Sequence, residues 1–369
     1  MIRIDEIYEN TFFAWLKRHR YGVRSFHCHP IGSSTPESLY CQGTQEVWEH
    51  NYITFFDVEP IHLDKFQPTF EKIRYDLAQD IHERRESNRI GTIVTSEHDS
   101  ENVEQLCSIY GWQSRHYFFW GWAALDWYRG YDLTFLMPEP QERTIKRTFM
   151  APNRIVGGAR RHRVELLYYI FKHGLTDNWI SCPAVCPVEA TPILDIVRPL
   201  ANRYPDIESV FAQQALPLDM PGETGHPMHS CWLSLFDQAA ESMLYLVSET
   251  VATKRRHHLT EKIFKPICLC MPFILHSTHG SLEYLRSYGF KTFDKLWDES
   301  YDQVVDDSER IKSIADLLIK LDASSAAEKQ ALFDSAQDIC KHNYQHFYSG
   351  GFQQVLWQEL TEMLASLDD

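Results

Sequence analysis

Residues 249–289 hold the residue types whose spacing suits a phosphate-bearing ligand. An apolar run ends at Ser248 and Glu249, a basic loop follows (Lys254, Arg255, Arg256, His257, His258), and Thr260 can cap a helix whose first turn holds Glu261 and Lys262. A helix N-terminus offers unpaired amide N–H groups and partial positive charge, and a lysine there adds a full charge. Pro266 removes a hydrogen bond from that helix and predicts a short or bent one. After the next apolar run, Gly280 and Ser281 make a second helix start, with Gly289 as its stop. Glycine at such a start lets backbone approach a ligand closely. Two helix starts facing one crevice match the rule that parallel α/β sheets bind ligands beyond the C-terminal ends of their strands. A second basic run, Arg154, Arg160, Arg161, His162 and Arg163, stands in and after a polar loop. A basic run is ordinarily a solvated face, but both of these stand beside motifs that want an anion.

Acid–base chemistry has its candidates in the first half. Asp57 and Glu59 in FFDVEP and Glu97 in TSEHD lie just past apolar runs, where catalytic carboxylates of α/β folds collect. His27, Cys28 and His29 lack a second ligand pair at a recognisable distance, and Cys182/Cys186 and Cys268/Cys270 lack zinc-knuckle spacing, so no metal is expected. The nine cysteines, an odd number, read as reduced thiols. The acidic WDESYD stretch, 297–302, reads as a cap for a helix starting near Asp306. The aromatic run YFFWGWAALDWYRGY reads first as core, with Trp122 or Trp127 able to stack on a sugar.

The elements that must position these groups are short apolar runs alternating with amphipathic stretches, which predicts α/β lobes with parallel sheets. Strands are expected at 52–56, 90–95, 117–120, 147–150, 243–247 and 273–276. A helix over 101–110 has Asp99 or Ser100 as its cap. Another carries Val164, Leu167, Tyr168 and Phe171 at i, i+3, i+4 and i+7 and stops at Gly174. Late helices follow at 311–321, with Ile314, Ala315 and Leu318 on one face, and near the C-terminus, where Leu356, Leu360, Met363 and Leu364 align. The proline- and glycine-containing stretch 205–229 is expected to be a mobile loop, and a domain boundary is expected near 145.

A chain of 369 residues favours two domains, and 44% hydrophobic residues interleaved with charge mark it as globular. With a net charge of −15 there is no global attraction to nucleic acid or anionic membrane. The start, MIRIDEIYEN, does not resemble a signal peptide, and no stretch approaches a spanning helix, so a cytoplasmic protein without a membrane span is expected.

The strand ending in an acidic residue, followed by a Thr-Glu-Lys helix start, resembles the donor-binding motif of α1,3-fucosyltransferases and related GT-B glycosyltransferases. The longer pattern, TEKIFKP, PFIL, GSLEYLRSYGFKTF and WDESYD, is similar to a family of glycosyltransferases common in bacteriophages and some bacteria. FFDVEPI, SEHDS and WAALDWYRGY extend the resemblance over most of the chain, although it is specific only in the second half. It implies an α/β, GT-B-like fold of two Rossmann-like lobes facing a cleft. The lobes would be an acceptor-side lobe at 1–145 and a donor-binding lobe at 146–345, with a C-terminal helix at 346–369 packing back across them.

The implied activity moves a sugar from a nucleotide-sugar (UDP- or GDP-sugar) to an acceptor hydroxyl, with no tightly bound cofactor. The acceptor would be a glycan or a hydroxymethylated base in phage DNA, the location then being the host cytoplasm. Carried over residue by residue, Glu249 would bind ribose or sugar hydroxyls, and Glu261 and Lys262 the diphosphate region, beside Thr260, Gly280 and Ser281. Arg154, with Arg160 or Arg163, would be the second phosphate anchor. Asp57 or Glu59 would be the base, with Glu97 in support. Where such sequences tend to have a glycine-rich turn before GSL, this chain has His276, Ser277, Thr278 and His279. That departure motivates the alternative, a non-catalytic glycan- or nucleotide-binding protein on a degenerate GT-B fold.

Overall fold

The computed structural model describes residues 22–27, 40–43, 52–56, 60–61, 91–129, 143–222 and 233–367. The chain forms two compact units. One comprises Met1–Asp126, Arg255–His258 and Gln353–Asp369; the other comprises Trp127–Lys254 and Leu259–Phe352.

The first unit holds a five-stranded sheet in the order β2-β1-β3-β4-β5, made of β1 (Gly22–His27), β2 (Tyr40–Gly43), β3 (Tyr52–Phe56), β4 (Gly91–Thr95) and β5 (Gln113–His116). β1, β3, β4 and β5 run parallel and β2 antiparallel, with Phe55 opposite Val94 and Val94 opposite Arg115. In β4 the residues Thr92, Ile93, Val94 and Thr95 are all buried, as expected of a parallel strand covered on both faces. Helix α1 (Glu101–Tyr110) starts where the Ser100 hydroxyl accepts from the Val103 amide and stops at Gly111, whose φ of 66° is left-handed.

The expected strand at 117–120 is not there. The strand lies just before it, in β5, and Phe119 opens helix α2 (Phe119–Arg129). Phe119, Trp120, Trp122, Ala123, Ala124 and Leu125 are all buried. A helix apolar on nearly every side shows no amphipathic period, so its start reads as a strand. Trp122 lies edge-on to Trp357 with ring centroids 6.0 Å apart and is core, not a sugar platform.

The second unit is built on a fully parallel sheet, β11-β10-β6-β7: β6 (Arg147–Ala151), β7 (Trp179–Ile180), β10 (Ser242–Ser248) and β11 (Phe273–His276). A two-stranded antiparallel pair, β8 (Val185–Cys186) and β9 (Thr191–Pro192), lies outside it. All seven residues of β10 are buried, in keeping with the apolar run 243–247 between its terminal serines. Helix α3 (Arg161–Lys172) follows β6 and buries Val164, Leu167, Tyr168 and Phe171. Short helices α4 (Ile193–Val197), α5 (Ile207–Ala212) and α6 (Phe236–Glu241) come next. Helix α5 lies inside the stretch expected to be a loop: Ile207 and Phe211, four apart, are buried, a two-point pattern too short to outweigh the surrounding prolines.

Helix α7 (Glu261–Cys268) is short, with Pro266 two residues from its end, and α8 (Ser281–Ser287) is followed by Gly289 at φ 90°. Helix α9 (Asp307–Asp322) buries Ile314, Ala315 and Leu318 and packs on α3. Helix α10 (Ala326–Tyr348) opens with a Ser325–Glu328 capping box. Helix α11 (Gly351–Ala365) buries Leu356, Leu360, Met363 and Leu364. From Gln353 onward it belongs to the first unit, where Glu359 Oε1 meets His116 Nδ1 at 3.0 Å and Ser366 Oγ accepts from Arg115 at 2.9 Å.

Candidate functional site

The polar residues of the second unit gather past the C-terminal ends of its four strands. β6 is followed by Asn153 and Arg154, β7 by Ser181, and β10 by Glu249 and Thr250. β11 ends at His276 and is followed by Ser277 and Thr278. Ser248 and His276 are paired across the sheet, and the Ser248 hydroxyl lies 3.1 Å from His276 Nδ1. Asn153 N donates to Ser181 Oγ at 2.7 Å, linking the loops after β6 and β7.

Helix α7 starts beside the end of β10. Glu249 Oε1 accepts from the Thr260 amide at 3.2 Å and Oε2 from the Thr260 hydroxyl at 2.5 Å. The Lys262 ammonium is surrounded by Thr250 Oγ1 at 3.2 Å, Thr260 Oγ1 at 3.1 Å and Glu261 Oε1 at 2.8 Å. Burial raises the Glu249 pKa against the pull of Lys262. Burial also acts to raise that of Glu261, but Lys262 and Lys265 outweigh it and the net shift is downward. Glu249 and Glu261 are buried, while the Lys262 side chain keeps 27% of its surface exposed.

The α3 side of the site is held by its own first turn. Arg163 donates to the carbonyls of Ile155 at 2.9 Å, Ser248 at 2.9 Å and Glu249 at 3.0 Å. Burial lowers its pKa to about 9, and those three bonds tie it to backbone. His162 Nε2 donates to the Glu249 carbonyl at 3.0 Å, and its ring lies edge-on to that of His276, 5.0 Å away. By contrast Arg154 makes no hydrogen bond or ion pair among the described residues, and Arg160 stands half-buried at the helix start.

The second helix start is filled from within. Gly280, at φ 75°, donates its amide to the Asp302 carbonyl at 2.7 Å, and the Leu282 amide is 3.1 Å from each Asp302 carboxylate oxygen. Ser281 Oγ bonds Ser277 Oγ at 3.0 Å and lies 3.2 Å from Thr278 Oγ1. The WDESYD stretch therefore caps α8, not the helix after it, which Asp306 caps itself. Burial raises the Asp302 carboxyl to about 6, against the pull of the Leu282 amide. Arg310, 1% exposed, donates to the carbonyls of Ala252, Ser277 and Val304, tying the loops after β10 and β11 together. Asp307, three residues before it, also pairs with Arg310 at 2.6 Å, but the two acceptors that join the loops are backbone carbonyls 33 and 58 residues away, which local sequence does not show.

In the basic run 254–258 Lys254 is exposed, while the residues after it are engaged within the protein. Arg255 pairs with Asp99 and with Glu104, Arg256 meets Glu97 at 3.4 Å, and His257 forms a two-bond backbone bridge with His98. Glu97, 3% exposed, also accepts from the Ile61 amide and the Ser100 hydroxyl. Burial raises its pKa, opposed by the Arg256 cation. Asp57 and Glu59 lie outside the described residues; β3 ends at Phe56, directly before them in the chain. Among the described residues, no group of three or more His, Cys, Asp or Glu is placed to hold a metal ion, and no helix is long and apolar enough to cross a membrane.

No protein-family model matches the chain, and no curated relative matches it. Among solved structures it is similar to the DNA-modifying enzyme β-glucosyltransferase, determined with and without its substrate uridine diphosphoglucose. The match has 8% identity and a TM-score of 0.39, over 85% of this chain and 75% of that one. That score is below what two chains of one fold share, so the match assigns neither fold nor activity.

Proposed function

We propose that this chain is a glycosyltransferase that moves a sugar from a nucleotide-sugar, with UDP or GDP as the nucleotide, to an acceptor hydroxyl. One observation carries the proposal. A lysine ammonium is held by three oxygens at a helix start, past the C-terminal end of a parallel strand, in the segment whose sequence resembles a glycosyltransferase donor motif. In this reading Lys262 and the start of α7 hold the diphosphate, and Arg154 and Arg160 supply the second cationic contact. Thr260, Glu261, Arg163, Gly280 and Ser281 form the frame. Leaving-group stabilisation by fixed donors and cations is the largest task in such a transfer. The donor lobe would be 146–345, the acceptor lobe 1–145 with Asp57 or Glu59 as base and Glu97 in support, and 346–369 the closing helix.

A glycan acceptor is favoured over a hydroxymethylated DNA base. The net charge is −15, and two arginines of the basic run at 254–258, Arg255 and Arg256, are paired with Asp99, Glu104 and Glu97, which reduces the attraction to a phosphate backbone.

Thermal shift with UDP, GDP and their sugars tests the donor site: a nucleotide-dependent rise in Tm is expected for the wild type and its loss for Lys262→Ala. Mass spectrometry of products from glycan and hydroxymethylated-DNA acceptors then reads the transfer. A non-catalytic nucleotide- or glycan-binding protein is the second reading, favoured by the saturated partner set of Glu97. Sugar transfer abolished by Asp57→Asn or Glu59→Gln would exclude it.

A further inference from the structure

Glu249, to which the sequence resemblance gives the ribose or sugar hydroxyls, is 0% exposed, and both its oxygens are taken by Thr260. A hydroxyl has a single proton to give. With that proton on Glu249, the Thr260 oxygen can only accept from Lys262, whose amide lies 3.5 Å away and whose ammonium lies 3.1 Å away. The ammonium has three protons, and Thr250, Thr260 and Glu261 each offer it one oxygen. A directed chain therefore runs from a buried carboxylate, through a hydroxyl, to a partly exposed cation. Its first link is of the charge-assisted kind, the stronger class of hydrogen bond.

We propose that Glu249 is a positioning residue that does not touch the donor: through Thr260 it fixes the first turn of α7 and places the Lys262 ammonium, from which a nucleotide diphosphate oxygen takes over the proton now given to Thr250. This rests on the proposed donor site and departs from the role that the resemblance implies. Ribose recognition then belongs to other side chains, and a change at Glu249 acts on the nucleotide only through Lys262.

The test uses the full-length chain, calorimetric titration with UDP and GDP, and amide hydrogen exchange over residues 260–264 without nucleotide. Glu249→Gln keeps an acceptor for the Thr260 hydroxyl and loses only the 3.2 Å amide contact, so it should hold affinity within about threefold and keep most of the exchange protection. Glu249→Ala and Thr260→Val should each speed exchange and weaken nucleotide binding by about tenfold, with the double variant no worse than either alone. Thr260→Ser should restore both. Lys262→Ala should weaken binding while leaving exchange near the wild-type rate.

A Glu249→Gln variant weakened more than about tenfold with unchanged exchange would mean direct contact with the ligand and would overturn the proposal. Wild-type exchange and affinity in Thr260→Val would overturn it as well. If the wild type bound neither UDP nor GDP, the donor site itself would fall and with it the role given to Lys262. The exchange rates would then still decide separately whether Glu249 holds α7.

Discussion

Arg256 Nη1 lies 3.4 Å from Glu97 Oε1, across 159 residues of sequence, with the two side chains 3% and 0% exposed. The Ile61 backbone is shared by both: its amide donates to Glu97, and its carbonyl accepts from Arg256 at 3.2 Å. A pair withdrawn from water in this way holds the segments 95–100 and 255–258 of the first unit together, immediately before α7 in the chain.

Removing one partner of a buried pair leaves the other uncompensated, which typically costs about 3 kcal/mol or more. Arg256→Ala should therefore lower unfolding free energy by roughly 3 kcal/mol in urea titration, whereas Glu97→Gln combined with Arg256→Met should recover much of the loss. A change in Arg256→Ala below about 0.5 kcal/mol, the level of a surface substitution, would contradict the pair's structural role.

Burial beside His162, Arg310 and Arg163 holds the His276 pKa well below its ordinary 6.5. The folded imidazole stays neutral where the unfolded one gains a proton, so the unfolded state binds more protons as pH falls below 6.5. The stability is present above 6.5 and is lost as pH falls below it toward the depressed folded value. Chemical denaturation from pH 8 down to 5 should show this loss, and His276→Asn, which keeps an acceptor facing Ser248, should flatten it.

Asp302 acts in the opposite sense. Its carboxyl is raised from 3.8 to about 6, so its contribution is complete below 3.8 and is lost as pH rises through 6. Asp302→Asn should remove that dependence. Asp302→Ala also strips the acceptor from the Leu282 amide and should cost about 1–2 kcal/mol, measured by the midpoint of urea unfolding.

At Gly289, φ is 90°, and an added Cβ would stand 2.7 Å from His346 Nε2. At Gly174, φ is 69° with open space around the position. Gly174→Ala should show the backbone strain alone, about 1 kcal/mol, and Gly289→Ala should cost more, about 2 kcal/mol, because the His346 ring must also shift. Tm values of the two variants measured side by side check the ordering.

Periodicity and punctuation made much of the framework readable. β3 and β11 are contiguous apolar runs, α1 has a serine cap and a glycine stop, and α9 shows its apolar face at helical spacing. Those signals are local, since caps, stops and faces involve residues a few positions apart. The aromatic run at 117–129 defeated them because α2 is apolar on nearly every side.

The sequence by itself determined the alternation of strands and helices, the Thr260 cap with Lys262 in the first turn of α7, and the excess of acidic charge. Only the tertiary structure decided which charges stay open. It joined Arg255 to Asp99 and Arg256 to Glu97, filled the start of α8 with Asp302, turned Arg163 toward backbone carbonyls, and enclosed Glu249 behind Thr260. Residue types state what a group can bond to. Which partner is within reach depends on contacts between distant parts of the chain, and the cost of burying an unpaired polar group or charge makes those contacts decisive.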